Sequence, residues 1–174
     1  MKTCRNCKEK FEATYNSMQK ACSVPCALEL VRTDKEVKRR KETLQMKREA
    51  RQNDRGWWTK AAQTEFNKWV RLRDRDLPCI SCQRHHTGQI HAGHYRTVGA
   101  NPELRFEPLN CHAQCSVCNN HLSGNLINYR ANLLVKIGAE KLQYLEGPHE
   151  AKKYTIQDLM DIRDKYKRLI KEMG

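Results

Sequence analysis

No run of about 20 apolar residues occurs in this chain, so no membrane-spanning helix is expected. Its first residues, MKTCRNCKEK, carry no apolar core of the signal-peptide type, so a cytoplasmic protein is expected. Apolar residues are scarce, at 39% against 30% charged. That is lean for a globular domain and calls for staples, such as metals, or long solvated helices. Negative charge is also scarce: 20 Asp and Glu against 33 Lys and Arg leave a net charge of +13. Such a balance favours nucleic acid first and an anionic membrane surface second, and no membrane partner is expected. No internal repeat or low-complexity tract is present.

What the chain does have is cysteine and histidine at short spacings. Eight of its nine cysteines form close pairs: Cys4 and Cys7, Cys22 and Cys26, Cys79 and Cys82, Cys115 and Cys118. Cytosolic thiols stay reduced, so such pairs indicate zinc rather than disulfides. Cys4, Cys7, Cys22 and Cys26 are expected to hold one zinc ion, because residues 1–26 are too short for an apolar core of their own. Cys79, Cys82, Cys115 and Cys118 are expected to hold a second, structural zinc that staples the two ends of the segment between them. Cys111 is left over and is taken as an ordinary small residue.

Charge divides the chain unevenly. Residues 1–33 carry +3, residues 34–75 carry +7, residues 76–127 are neutral and residues 128–174 carry +3. Pro and Gly are missing between Ala27 and Arg55, which predicts a long helix. Thr33 and Glu36 resemble a capping box, so a boundary is expected there, and Gly56 is expected to end the helix. Residues 34–56 are thus expected to be a basic helical linker, with Lys38, Arg39, Arg40 and Lys41 placed to meet phosphates. From residue 57 a second helix should bury Trp58, Ala62, Phe66 and Trp69 or Val70, leaving Trp57 as a candidate DNA contact. Short helices over 126–137 and 139–146 flank Gly138. Thr155 and Asp158 cap a final amphipathic helix to Met173. The domains expected are 1–33, 34–56 and 57–174.

The neutral segment is the chemically dense one. IHAGHYRTVGANPELRFEPLNCHAQCSVCNNHLSGN, residues 90–125, holds four His, three Cys and five Asn. His94, then Asn110 five residues before Cys115-x2-Cys118, then Asn119 directly after the pair, resembles the pattern of HNH endonucleases. More narrowly, RDRDLPCISC, AGHYRT, LRF and CNNHLSGN resemble the NinG (Rap) family of lambdoid phage recombination proteins. The N-terminal cysteine knuckle, basic helix and tryptophan-bearing helix fit that family too, so the resemblance covers nearly the whole chain.

The resemblance implies a phage-encoded, metal-dependent endonuclease in the host cytoplasm. It would cut branched recombination intermediates such as Holliday junctions and D-loops, alongside host or phage recombination proteins. The fold implied is α+β, mostly helical, with an HNH-like ββα-metal core stapled by zinc. Strands are expected near 88–95 and after Leu104–Leu109, followed by a helix from about Cys118. His94 is then the general base and Asn110 the residue that holds the hairpin around it. Asn119 would ligate a catalytic Mg2+ or Mn2+.

The family pattern often has Asp or His directly before the catalytic His, and here that residue is Gly93. His91, redirected by a bulge at Ala92–Gly93, is the nearest substitute, with His121 and Asn125 as alternatives. His112 serves either the metal or the zinc knuckle; His85 and His86 are taken as solvated residues of a turn after Cys82, and His149 as a loop residue. Arg96, Arg105 and Arg130 are candidate phosphate contacts, each with a surface ion pair as the competing assignment. Tyr95 is either packing or a phosphate donor. A homodimer joined through the final helix would supply two active sites for a two-strand cut. A non-catalytic zinc-stapled DNA-binding adaptor stays open as the alternative function, as does an RNA partner.

Overall fold

The computed structural model describes residues 1–174. The chain divides into two compact units, Met1–Asn53 and Asp54–Gly174. In the first, β1 (Lys2–Thr3) pairs antiparallel with β2 (Lys10–Phe11), and α1 runs from Val24 to Gln52. Ser23 caps α1 by accepting from the Cys26 N–H, and no residue of α1 is buried. A helix with nothing to bury is held by propensity and solvated charge, which suits its run of Lys, Arg, Glu and Gln.

Two expectations change here. The helix is continuous across Thr33, whose hydroxyl donates to the Leu30 carbonyl rather than capping a new start. Gly56 does not end it either. The break falls at Asn53–Asp54, and Asp54 caps the next helix by accepting from the Trp57 N–H, so Gly56 lies inside that first turn.

In the second unit, α2 (Arg55–Arg73) turns Trp58, Ala62, Phe66 and Val70 inward at the expected spacing. Trp57 is half-buried with its ring 4.7 Å from Trp58, part of the core's margin rather than a free stacking surface. β3 (Ile90–His94) pairs antiparallel with β4 (Cys111–Cys115), with His91 opposite Gln114, Gly93 opposite His112 and His94 opposite Cys111. Between the strands, 102–104 and 108–110 form single 3-10 turns. A π-helical turn, Val117–His121, follows β4 in place of the expected regular helix. Then come α3 (Leu126–Ile137), α4 (Ala139–Glu146) and α5 (Ile156–Glu172). Gly138 separates α3 from α4 at a φ of 84°, which L side chains adopt rarely. Thr155 and Asp158 form the expected capping box of α5.

The apolar face of α5 is already covered. Leu159 and Tyr166 are buried in the same cluster as Phe66 and Val70, and the Phe66 and Tyr166 rings pack 4.9 Å apart. That face therefore serves the core of one chain, and the expectation of a dimer through it is withdrawn.

The sharpest tertiary tie was not foreseen. Asp74, at the end of α2, is 3% exposed. Its carboxylate accepts from Arg73 Nε and Nη2, both at 2.8 Å, and from the Ala113 N–H at 2.9 Å, with Lys136 Nζ 3.6 Å away. Arg73 also donates to the carbonyls of Pro108 and Cys111, so one ion pair pins β4 to α2. Burial alone would raise the Asp74 pKa, but the Arg73 hydrogen bonds, the Ala113 N–H and the two cations outweigh it and lower it. The resulting stabilisation is complete above the ordinary carboxylate value near pH 4 and is lost as pH falls through the lowered one. Asp74→Ala should cost about 3 kcal/mol or more, read as a lower denaturant midpoint, because it strands Arg73 and the Ala113 N–H.

Candidate metal and catalytic site

The cysteines converge as their spacing predicts. The Sγ atoms of Cys4, Cys7, Cys22 and Cys26 all lie within 4.8 Å of one another, as do those of Cys79, Cys82, Cys115 and Cys118. Thiolates around a tetrahedral zinc at about 2.3 Å stand about 3.8 Å apart, so both clusters can hold zinc with small closure. In each cluster the first cysteine has a lowered pKa. For Cys4, the backbone N–H groups of Cys22, Cys7 and Asn6 outweigh burial and bring it to about 6. One later thiol of each cluster resists ionisation: Cys22 is pushed up to about 12 by the neighbouring thiols Cys7, Cys26 and Cys4, and Cys118 to about 12, chiefly by burial. Four thiolates at such separations need a cation between them. Two polar side chains support the second cluster. His86, exposed in its loop as expected, places Nε2 3.2 Å from Cys82 Sγ, and Asn125 donates to Cys118 Sγ at 3.5 Å.

The second cluster closes the hairpin's far end, and the strand alternation divides its faces. Ile90, Ala92 and His94, with Cys111, Ala113 and Cys115, share one face. Ala92 and Cys111 on it join the α2 core. His91, Gly93, His112 and Gln114 share the other, where the Tyr129 hydroxyl of α3 donates to the Gly93 carbonyl. The register is uninterrupted, so the expected bulge at Ala92–Gly93 is absent. His91 reaches the Gly93 face by simple alternation.

His94 is half-buried, with its ring 6.1 Å from Phe66. Its Nε2 lies 2.9 Å from the Arg105 carbonyl. A carbonyl only accepts, so Nε2 carries the proton and Nδ1 keeps the lone pair. Nδ1 is 3.7 Å from Cys111 Sγ, a thiol that burial keeps protonated. Burial lowers the His94 pKa; the Arg105 carbonyl pulls it up and the Arg105 charge pushes it further down. The ring is therefore neutral at pH 7.

Asn110 is fully buried. Its Oδ1 accepts from the Arg96 N–H at 2.8 Å, and its Nδ2 donates to the Arg96 and Leu104 carbonyls at 3.0 and 3.1 Å. The Tyr95 N–H donates to the Asn110 backbone carbonyl. Asn110 thus clamps the chain directly after His94.

Three buried polar atoms lack a partner: His91 Nε2, Gln114 Oε1 and His149 Nε2. Two of them are cross-strand neighbours on the Gly93 face. A Cβ on Gly93 would collide with Gln114 Oε1 and stand 3.0 Å from Asn119 Oδ1, so both amide oxygens point into one cradle. An unmet buried acceptor costs about 1–3 kcal/mol. An unpartnered nitrogen and an unpartnered oxygen, with the Asn119 amide oxygen beside them, suit a divalent cation, so these residues fit the metal that the family resemblance implies.

Not every candidate joins the site. His121 is exposed, and Asn125 lies beyond the π-turn at φ 44°, so the two do not share a helix face. His112 is buried with Nδ1 3.3 Å from the Tyr129 hydroxyl; burial first, then Lys136 and Arg73, lower its pKa to about 3. Arg130 makes a paired bond to Glu146, at 2.7 and 2.9 Å, which is the ion-pair assignment. Tyr95 also donates to Glu146. Arg105 and Arg96 contact only neutral amides, Gln63 and Asn101. Lys38, Arg39, Arg40 and Lys41 are exposed on α1. Gln114 escaped the sequence reading, because glutamine is a rare ligand and only its orphaned oxygen marks it.

The fold and site thus define a small mixed α/β protein with two four-cysteine clusters able to bind zinc. No helix is long and apolar enough to cross a membrane. The family model described as "Bacteriophage Lambda NinG protein" matches residues 1–174, so the chain belongs to the NinG family. "Protein ninG" of Escherichia phage 933W is 45% identical over 119 residues, covering 68% of this chain and 59% of that protein. "Protein ninG" of Escherichia phage lambda is also 45% identical over 119 residues, and that of Salmonella phage P22 is 44% identical. The match thus spans under three fifths of the length of these curated relatives. No solved structure matches the chain.

Proposed function

We propose that this protein is a metal-dependent DNA endonuclease with an HNH-like ββα-metal centre, acting on branched recombination intermediates. The observation that carries the proposal is the Asn110 clamp. It holds the chain just past a neutral His94, while the turn after β4 presents Asn119 to Gly93 on the opposite face.

In this reading His94 Nδ1 exchanges its long contact with the Cys111 thiol for the attacking water and accepts its proton, and the Arg105 carbonyl fixes the tautomer that allows it. His91 and Asn119 would hold the cation. A bound Mg2+ or Mn2+ would neutralise charge on the scissile phosphate and the leaving oxygen. Base and donors flank β3 at the adjacent residues Gly93 and His94, so the phosphate must lie across that end of the strand. Arg96 and Arg105 meet the flanking phosphates, and Lys38, Arg39, Arg40 and Lys41 are exposed cations of the first unit suited to the DNA backbone. Branch selectivity is carried by the family resemblance alone.

The test is cleavage of a synthetic four-way junction beside linear duplex, by zinc-loaded protein with and without Mg2+. We expect junction cutting that requires Mg2+ and exceeds duplex cutting at least tenfold. Tight binding without cleavage across Mg2+ and Mn2+ would replace this reading with the non-catalytic adaptor.

A further inference from the structure

Gln114 is fully buried, yet half of its amide is unused. Its Nε2 donates to Ser81 Oγ and to the Gly124 carbonyl. Because a carbonyl cannot donate, the amide cannot be turned round, and Oε1 must face Gly93. That oxygen takes the space a side chain at residue 93 would need, beside Asn119 Oδ1 and opposite His91 with its own unmet Nε2. The amide is braced from behind by the segment that carries the second cysteine cluster. Ser81 lies between Cys79 and Cys82, and Gly124 follows the turn holding Cys118, whose carbonyl accepts the Gly124 N–H.

We propose that Gln114 Oε1, reaching into the room that Gly93 leaves open, is a ligand of the divalent cation. The complete protein donor set is then His91 Nε2, Gln114 Oε1 and Asn119 Oδ1. This rests on the metal-dependent reading above and adds a consequence that reading does not contain. All three donors are neutral. Affinity for a hard cation rises with the number of charged ligands, so the free protein binds it weakly, on the order of millimolar. The missing negative charge comes from the DNA phosphate. Metal and DNA therefore strengthen each other's binding by the same factor. The centre assembles fully only on substrate, which limits metal capture and idle hydrolysis away from DNA.

The experiment is a Mn2+ titration of the zinc-loaded full chain, followed by electron paramagnetic resonance and by broadening of assigned side-chain NMR signals. The Gln114 and Asn119 amides and the His91 ring should broaden first. Gln114→Met should weaken Mn2+ binding about tenfold. Junction DNA, added to His94→Ala protein so that it is not consumed, should tighten Mn2+ at least tenfold. Zinc content and spectral dispersion check each fold, and if Gln114→Met unfolds, the broadening of the wild-type Gln114 amide alone decides. If His91 and Asn119 broaden while the Gln114 amide does not and Gln114→Met binds as wild type, Oε1 meets only water. The proposal then fails and the metal-dependent reading stands. If Mn2+ gathers elsewhere although Mg2+ supports junction cutting, the proposal fails again while the nuclease reading survives. Loss of Mg2+-dependent cutting itself would instead remove the reading beneath both.

Discussion

Replacing His94 with alanine is expected to slow single-turnover junction cleavage by about 10²–10⁴-fold, the usual contribution of a positioned general base. Junction affinity should change by less than about twofold, because an alanine there removes a proton acceptor and not a phosphate contact. Packing is the rival explanation, since the ring touches the Phe66 cluster and bonds the Arg105 carbonyl. His94→Gln separates the two. Its amide nitrogen can still donate to that carbonyl, so folding should survive while cleavage does not. The pH profile is the second signature. A base works only when unprotonated, and burial holds the His94 pKa below its ordinary value of about 6.5. The acid limb of the cleavage profile should therefore have its midpoint below pH 6.5. It should fall about tenfold per pH unit only below the lowered pKa. A rate that halves at pH 6.5 or above would place the proton on some other group, and full activity in His94→Ala would sink the assignment.

Stripping the central zinc should unfold the second unit around its hairpin. Structural zinc contributes about 10–16 kcal/mol in small domains, against a net stability of about 5–15 kcal/mol for a whole domain. Cys115 ends β4, and Cys118 lies in the turn that presents Asn119, so the same ion braces the strand and the donor behind it. Cys118→Ser should abolish native dispersion of the β3 and β4 amide signals and all cleavage, while the first unit keeps its own zinc. Metal analysis should find two zinc per wild-type chain and one in this variant. A chelated protein that kept its hairpin signals would show the cluster to be dispensable. The first cluster should behave differently. Cys4 and Ala21 are the only buried residues before α1, so chelation there should melt residues 1–23 and leave α1 helical.

These two effects draw on different layers of information. Zinc-site membership is legible along the chain because C-x2-C spacing is local covalent geometry, and both clusters close as the spacing requires. The buried stripe of α2 and the capping box of α5 are legible for the same reason. Boundaries were less so. Thr33 and Glu36 match a capping box, but Thr33 bonds back to Leu30 inside an uninterrupted helix. Gly56 looks like a breaker, but Asp54 caps the helix two residues earlier.

By itself the sequence determined the reduced cysteine pairs, the helical stripes, the basic balance and the positions of His94, Asn110 and Asn119. Each depends on spacing or composition, which the chain carries before it folds. Only the tertiary structure decided which atoms meet across the hairpin. It turned His94 toward α2 and His91 to the Gly93 face that Asn119 borders, because side chains alternate along a strand whose register is set by pairing. It covered the apolar face of α5 with α2, and it buried Asp74 against Arg73 and Ala113. It also left one oxygen of Gln114 without a partner beside Gly93, since an atom's unmet bonds depend on everything packed around it.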